Sequence, residues 1–261
     1  MVRYARPRLI TADDKRYRAY VEQFILQRNN QKAMRPPRQR DIFGGQAEQV
    51  LRDWLAERVE LCEQRILEYE ERRGRRAGTK YRELDALVLD EAARSVHVFE
   101  IKASRSAGSL RRAGGQLYET RDILRLRYPA VALTVLLIDT GIPDAAAVAE
   151  IMAGPAPPAH SPETLDALLT SRPDFHLLAD LAAQADVAEG IGLLRFSVDD
   201  IVQLAGAENL ALDWADAEDD LEIPEKSTSS QVYSSSREQA DDDDDDDDNP
   251  MAAALRRAGL S

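Results

Sequence analysis

Cysteine, histidine and long apolar runs are scarce in this chain, and each scarcity excludes a class of protein. Cys62 is the only cysteine among 261 residues. No intrachain disulfide can form, and a cysteine-built zinc site lacks its second ligand. The histidines are His97, His160 and His176, and the last two have no metal-ligand spacing to each other. No apolar stretch approaches the eighteen or so residues of a membrane span. The opening MVRYARPRLITADDKRYRAY has no apolar core of the kind that marks a secretory signal. A reducing, cytoplasmic setting without a membrane partner is expected. Lysine is also rare, 5 residues against 29 arginines.

What is abundant is charge, and it is unevenly placed. The chain carries a net −13, yet residues 1–130 carry +9, residues 131–212 carry −10 and residues 213–261 carry −12. A basic front half suits a partner that bears phosphates. The acidic end runs through STSSQVYSSS into eight consecutive aspartates, 241–248. Such a segment cannot bury enough apolar surface to offset its ordering entropy. Residues 211–250 are therefore expected to be a disordered acidic, Ser-rich linker, and 251–261 a short terminal helix able to recruit a protein partner. On a flexible linker, the aspartate run can act as an internal competitor for nucleic acid.

Residues 1–42 form a basic arm. The first 40 hold 11 Lys+Arg against three acids, a net of +8. Thr11 and Asp14 are placed as a capping box, ahead of a stripe of Tyr17, Tyr20, Val21, Phe24 and Ile25. Residues 34–40, MRPPRQR, should be extended because proline cannot continue a helix. After Gly44 and Gly45, the spacing of Ala47, Val50, Leu51, Trp54, Leu55, Leu61, Cys62 and Ile66 predicts a helix over about 46–72. RRGRRAG then reads as a basic loop. Strands are expected at 81–90 and 95–103, joined by a hairpin loop at Glu91, Ala92, Ala93 and Arg94. A helix over about 109–127 follows. VALTVLLI, 131–138, reads as a buried strand, with a helix near 144–153 after it. Helices near 163–170 and 176–186 read as an insertion spanning about 154–188. Residues 191–196 read as a core strand, and 198–205 as a last helix.

The chemistry is concentrated in YRELDALVLDEAARSVHVFEIKA, residues 81–103. Strand side chains alternate faces, so Glu100 and Lys102 share one, ~7 Å apart, while His97, Phe99 and Ile101 point the other way. Closure about Ala92 and Ala93 pairs residues whose numbers sum to 185. That sets Asp85 opposite Glu100, with Cα atoms about 4.5–5.5 Å apart. Facing carboxylates repel, and a divalent cation neutralises them. Two carboxylates with water and a phosphate oxygen suit Mg2+. An edge hairpin with solvent-facing charge pairs is the competing reading.

An acid on one strand followed by E-x-K on its hairpin partner resembles the core of the PD-(D/E)xK nuclease superfamily. Here it reads L-D85 … E100-I-K102, with Leu84 at the nominal proline position. The resemblance covers about 43–210, with the order helix, hairpin, helix, strand and a closing strand GIGLLRFS. It implies an α/β, restriction-endonuclease-like mixed sheet with flanking helices. It also implies Mg2+ or Mn2+ held by Asp85, Glu100 and the Ile101 carbonyl, with Lys102 activating water and stabilising the phosphorane charge. Many members carry a metal-supporting Glu on the first helix, the place of Glu48, which the helix dipole alone would also favour. Some carry Q-x-x-x-Y on the second helix. Gln116 matches, although Thr120 replaces the tyrosine and Tyr118 stands nearby.

Glu83 shares the Asp85 face, where an arginine or lysine partner is expected. Arg72, Arg73, Arg75, Arg76, Lys80, Arg111 and Arg112 flank the hairpin and second helix as phosphate contacts. The implied function is a divalent-metal nuclease acting on phosphodiester bonds, with DNA as the expected partner. The alternative is a non-catalytic nucleic-acid or protein-binding module that keeps the fold. A homodimer stays open.

Overall fold

The computed structural model describes residues 2–29, 39–187, 189–212 and 233–234. They form a mixed α/β protein with two sheets and six α-helices among the described residues. None of these helices is long and apolar enough to cross a membrane.

The central sheet has five strands. Strand β4 (Ala86–Asp90) pairs antiparallel with β5 (Ser95–Ser104). β5 runs parallel to β6 (Ala130–Asp139), β6 to β8 (Ile191–Ser197), and β8 to the short edge strand β7 (Phe175–Leu177). Its alternation decides what covers each face. Val96 and Val98 of β5, with Leu133, Val135 and Leu137 of β6, share a core with Leu110, Ala113 and Leu117 of α3 (Gly108–Leu124). Phe99 and Ile101, with Leu136 and Ile138, pack on Phe43, Ala47, Leu51 and Leu55 of α2 (Gln39–Ala56) and Ile201 of α6 (Val198–Ala205). Each such Leu or Ile contributes about 1.5–3 kcal/mol when fully buried. Ser197 and Asp200 form the capping box that starts α6. Two further helices, α4 (Ala145–Ala153) and α5 (Leu165–Ser171), start at capping side chains from Asp144 and Thr164.

The second sheet has four strands in the order β1 (Val2–Ile10), β2 (Ile66–Arg73), β3 (Arg76–Glu83), β9 (Tyr233–Ser234), antiparallel throughout. Helix α1 (Lys15–Asn29) lays Tyr17 and Tyr20 on Ile66 and Tyr81 at one end of this sheet.

Several expectations are corrected. The helix drawn over 46–72 stops at Ala56, and Ile66–Arg73 is a strand. Its Glu and Arg residues favour helix. Pairing on both sides, with β1 and with β3, overrides that preference. Gly44 and Gly45 lie inside α2 rather than ahead of it. The strand expected over 81–90 is two strands in two sheets, interrupted at Leu84 and Asp85. The helix expected near 176–186 is β7 followed by a 3-10 turn, Ala182–Asp186. Asp14, not Thr11, caps α1, accepting from the Arg16 and Tyr17 amides at 2.9 and 3.2 Å. Tyr233 and Ser234 pair with β3 inside the stretch expected to be a disordered linker. The stretch 34–40, expected to be extended, turns helical at Gln39 and Arg40, which open α2; its part 34–38, the rest of the linker beyond Leu212 and the terminal helix at 251–261 lie outside the described residues.

Candidate functional site

The hairpin β4–β5 closes with Ala86 opposite Phe99 and Asp90 opposite Ser95, the register whose numbers sum to 185. The Asp90 carboxylate steadies the loop by accepting from the Ala93 amide at 2.8 Å. One step before Ala86, the chain bends out of the central sheet at Asp85. This bend turns the Asp85 side chain onto β5, where Oδ2 accepts from the Ile101 amide at 2.7 Å. Two contacts hold the bend. The Leu84 amide donates to the Arg65 carbonyl at 2.9 Å, and Arg52 of α2 donates through Nε to the Asp85 carbonyl at 3.1 Å.

Glu100 is buried, with 6% of its surface exposed. Its Oε1 has no hydrogen-bond partner among the described residues. A buried acceptor without a donor is costly, and an anionic one more so. Burial pushes the Glu100 carboxyl well above its usual range; Asp85 and Glu48 push it further, and Lys102 and Arg82 oppose them. The Asp85 carboxyl is also raised by burial, against the Ile101 amide, Arg52 and Lys102. Glu48, on α2, is pushed up to about 7, by burial first and Asp85 second, with Lys102 and Arg52 opposing. Asp85, Glu48 and Lys102 thus lie close enough to act on the ionisation of Glu100.

Among the described residues, no three His, Cys, Asp or Glu side chains are grouped so as to hold a metal by themselves. A hard divalent cation does not require that. Mg2+ takes one or two carboxylates and fills its remaining positions with water and substrate oxygens. Asp85 and Glu100 supply two, and the orphaned Oε1 of Glu100 is an acceptor that such an ion would satisfy. The donor set is all oxygen, which fits Mg2+ or Mn2+ and not a thiophilic metal.

Two arginines that sequence patterning passes over belong to this site. Arg52 stands four residues after Glu48 on the same helix, and that spacing is the available signal. Arg82 is almost fully buried, at 1% exposure. It ties β3 to α3 by donating to the Gln116 carbonyl at 2.9 Å, to Thr120 Oγ1 at 2.6 Å, and to Glu119. Glu119 accepts a further bond from Tyr4 at 2.7 Å. Nothing in the local pattern marks Arg82, because only the stacking of the second sheet on α3 buries it.

The other candidates fall into two groups. The Gln116 backbone carbonyl accepts from Arg82, whereas the Tyr118 hydroxyl donates to Asp174 at 2.6 Å. Glu83 pairs with Arg65 at 2.8 Å, and His97 is a half-buried packing residue bonded to Thr134 at 2.7 Å, its pKa lowered by burial to about 4. The expected basic cluster is not one patch. Arg111 and Arg112 lie in the first turns of α3, where Arg111 is paired with Glu163. Arg72, Arg73, Arg75 and Arg76 surround the β2–β3 turn. Nine residues separate Arg76 from Asp85 along β3, which puts the turn roughly 30 Å away. Lys80 lies between, in β3. The reason is that RRGRRAG is the turn of a hairpin rather than a loop beside the carboxylates.

No family model, curated protein or solved structure matches this chain.

Proposed function

We propose that this chain is a divalent-metal-dependent nuclease of the PD-(D/E)xK type, with a restriction-endonuclease-like fold, hydrolysing phosphodiester bonds in DNA. The observation that carries the reading is the bend that seats Asp85 Oδ2 on the Ile101 amide, next in the chain to Glu100, whose Oε1 is buried and unpartnered among the described residues, with Lys102 two residues on. The order of α2, the β2–β3 hairpin, β4–β5, α3 and β6 around that point supports it.

In this reading Asp85, Glu100 and the Ile101 carbonyl hold Mg2+ or Mn2+, and Glu48 supports the site from α2. The bound ion supplies Lewis-acid polarisation of the phosphoryl oxygen and a more acidic water. Lys102 orients the attacking water and offsets negative charge that builds on the phosphorus centre in the transition state. Arg52 keeps Asp85 aimed inward by holding its carbonyl. Arg82 sets a buried positive charge behind Glu100, which favours the ionised carboxylate that a cation needs.

The test uses the purified full chain with supercoiled, linear and single-stranded DNA, and with RNA, each in Mg2+, Mn2+ or EDTA. Metal-dependent cleavage of DNA that disappears in Asp85→Ala is expected. Binding without cleavage under every metal would instead make the chain a non-catalytic binding module, and cleavage confined to RNA would reassign its substrate.

A further inference from the structure

The direction of β9 gives the aspartate run a destination. Tyr233 lies opposite Tyr81 and Ser234 opposite Lys80, in antiparallel register. Within β9 the chain therefore runs toward the start of β3, away from Asp85 and toward the β2–β3 turn. Lys80 is four residues from Arg76, ~13 Å along a strand. The aspartates begin seven residues after Ser234, a reach of up to about 24 Å.

At that turn Arg72, Arg73, Gly74, Arg75 and Arg76 are all exposed. Gly74 takes φ +62°, which makes the reversal tight and sets Arg73 opposite Arg76 across it. Arg72 and Arg73 have local partners in Glu70, at 3.5 Å, and Glu71, but their side chains remain 54% and 70% exposed. The Arg72 pair holds weakly, whereas Arg73 is held by a buried carboxylate, that of Glu71.

We propose that residues 241–248 dock on the arginine turn between β2 and β3. Eight carboxylates delivered by a short tether to four exposed guanidinium groups match in charge and in reach. The tether sets their effective concentration in the millimolar range. Nucleic-acid phosphates recruit the same guanidinium groups, so the run competes with substrate for docking. The docking itself is independent of any nuclease activity, whereas the competition rests on the function proposed above. Because the turn is roughly 30 Å from Asp85, the run opposes binding and leaves the chemical step alone.

The experiment has two arms on the full chain. In the first, a nitroxide is attached at Ala240→Cys in a Cys62→Ser background, without nucleic acid. Amide signals of 72–77 should broaden at about 50 mM salt and recover near 1 M, where screening is strong. The broadening should be lost when the eight aspartates are replaced by serine. Broadening that persists without the aspartates would overturn the proposal, as would its absence at the turn. In the second arm, replacing the eight aspartates should tighten duplex DNA binding about tenfold at low salt. Cleavage at saturating DNA should not change. The gain should vanish in the combined Arg72→Ser, Arg73→Ser, Arg75→Ser and Arg76→Ser background. An equal gain in that background places the docking elsewhere, and a faster saturated rate places it on the carboxylates; either result defeats the proposal. If the first arm succeeds and no form binds or cuts DNA, the contact stands and the nuclease reading fails.

Discussion

The two sheets solve the same problem, how a strand disposes of charge, in opposite ways. The central sheet is apolar on both faces along β6 and β8, and its acids and lysine stand at the end of β5 and the bend beside it. The four-stranded sheet carries charge along its length and neutralises it across strands, Arg6 with Glu70 and Arg8 with Glu68, each at 2.8 Å, and Arg65 with Glu83. The β1 charges Arg6 and Arg8 are each answered by an acid of β2. At the site, three acids share Lys102 and two arginines, Glu100 Oε1 is left without a donor among the described residues, and both strand carboxyls are raised. A sheet that pairs its charges suits a scaffold; under the function proposed above, the under-compensated acids beside β5 would receive a cation.

The hardest break in that contrast comes from Lys102. Lys102→Ala should slow single-turnover cleavage by about a thousandfold or more, because it removes the positive charge that offsets the transition state. Lys102→Arg should be badly impaired too, since a guanidinium is bulkier and does not exchange protons near neutral pH. Full activity in either variant removes lysine from the mechanism.

Next in size is Arg82, the buried charge that links the two sheets' territories. Arg82→Met should cost about 3 kcal/mol in urea unfolding, because it strips buried acceptors on α3 of their donor and leaves Glu119 without its ion pair. Adding Glu119→Gln should recover part of the loss. A change below about 1 kcal/mol would mean that α3 and β3 are held by apolar packing alone.

Glu48 sharpens the comparison through pH. Its folded-state carboxyl sits at about 7 against an ordinary 4.5. A raised acid favours the folded state most when it is protonated in both states. Its contribution is therefore fully present below about 4.5 and is lost as pH rises through about 7. Without divalent metal, stability should fall over that window, and less steeply in Glu48→Gln. Urea midpoints with EDTA between about pH 4 and 8 read the difference. Identical slopes would place Glu48 outside the shared field.

The smallest effect belongs to the second sheet. Deleting the basic arm would remove strand β1, so its charge is better tested by substitution. Arg6→Ala should cost under about 1 kcal/mol, since its pair is exposed, and Arg8→Ala somewhat more, since Glu68 is buried. They should also change the salt slope of DNA binding little, because Glu70 and Glu68 already answer them. A clearly flatter salt slope would reassign β1 to the nucleic-acid interface.

Much of the central sheet is legible in the chain's local patterns. The period-2 alternation of VHVFEIK and the four-residue loop set the β4–β5 register, and the apolar run VALTVLLI marks β6. The second sheet is not legible in this way. ILEYEERR is built from good helix formers and continues the spacing of α2. Only pairing with β1, some 60 residues away, and with β3 next door makes it extended, and no local window contains both. For the same reason Arg82 looks like an ordinary strand arginine and the arginine turn looks like a loop beside the site.

Alternation and a short loop, both properties of the chain itself, settle which side chains on the β4–β5 hairpin share a face; they leave no other register open to Asp85, Glu100 and Lys102. Three further features come only from tertiary packing. It bends the chain at Asp85, where the strand passes from one sheet into the other. It buries Arg82 and leaves Glu100 Oε1 without a donor among the described residues, since burial depends on what stacks above a residue. It also sets the direction in which β9 leaves β3. Each of these is a relation between segments distant in the chain, and such relations are settled by packing and pairing free energies that no local pattern records.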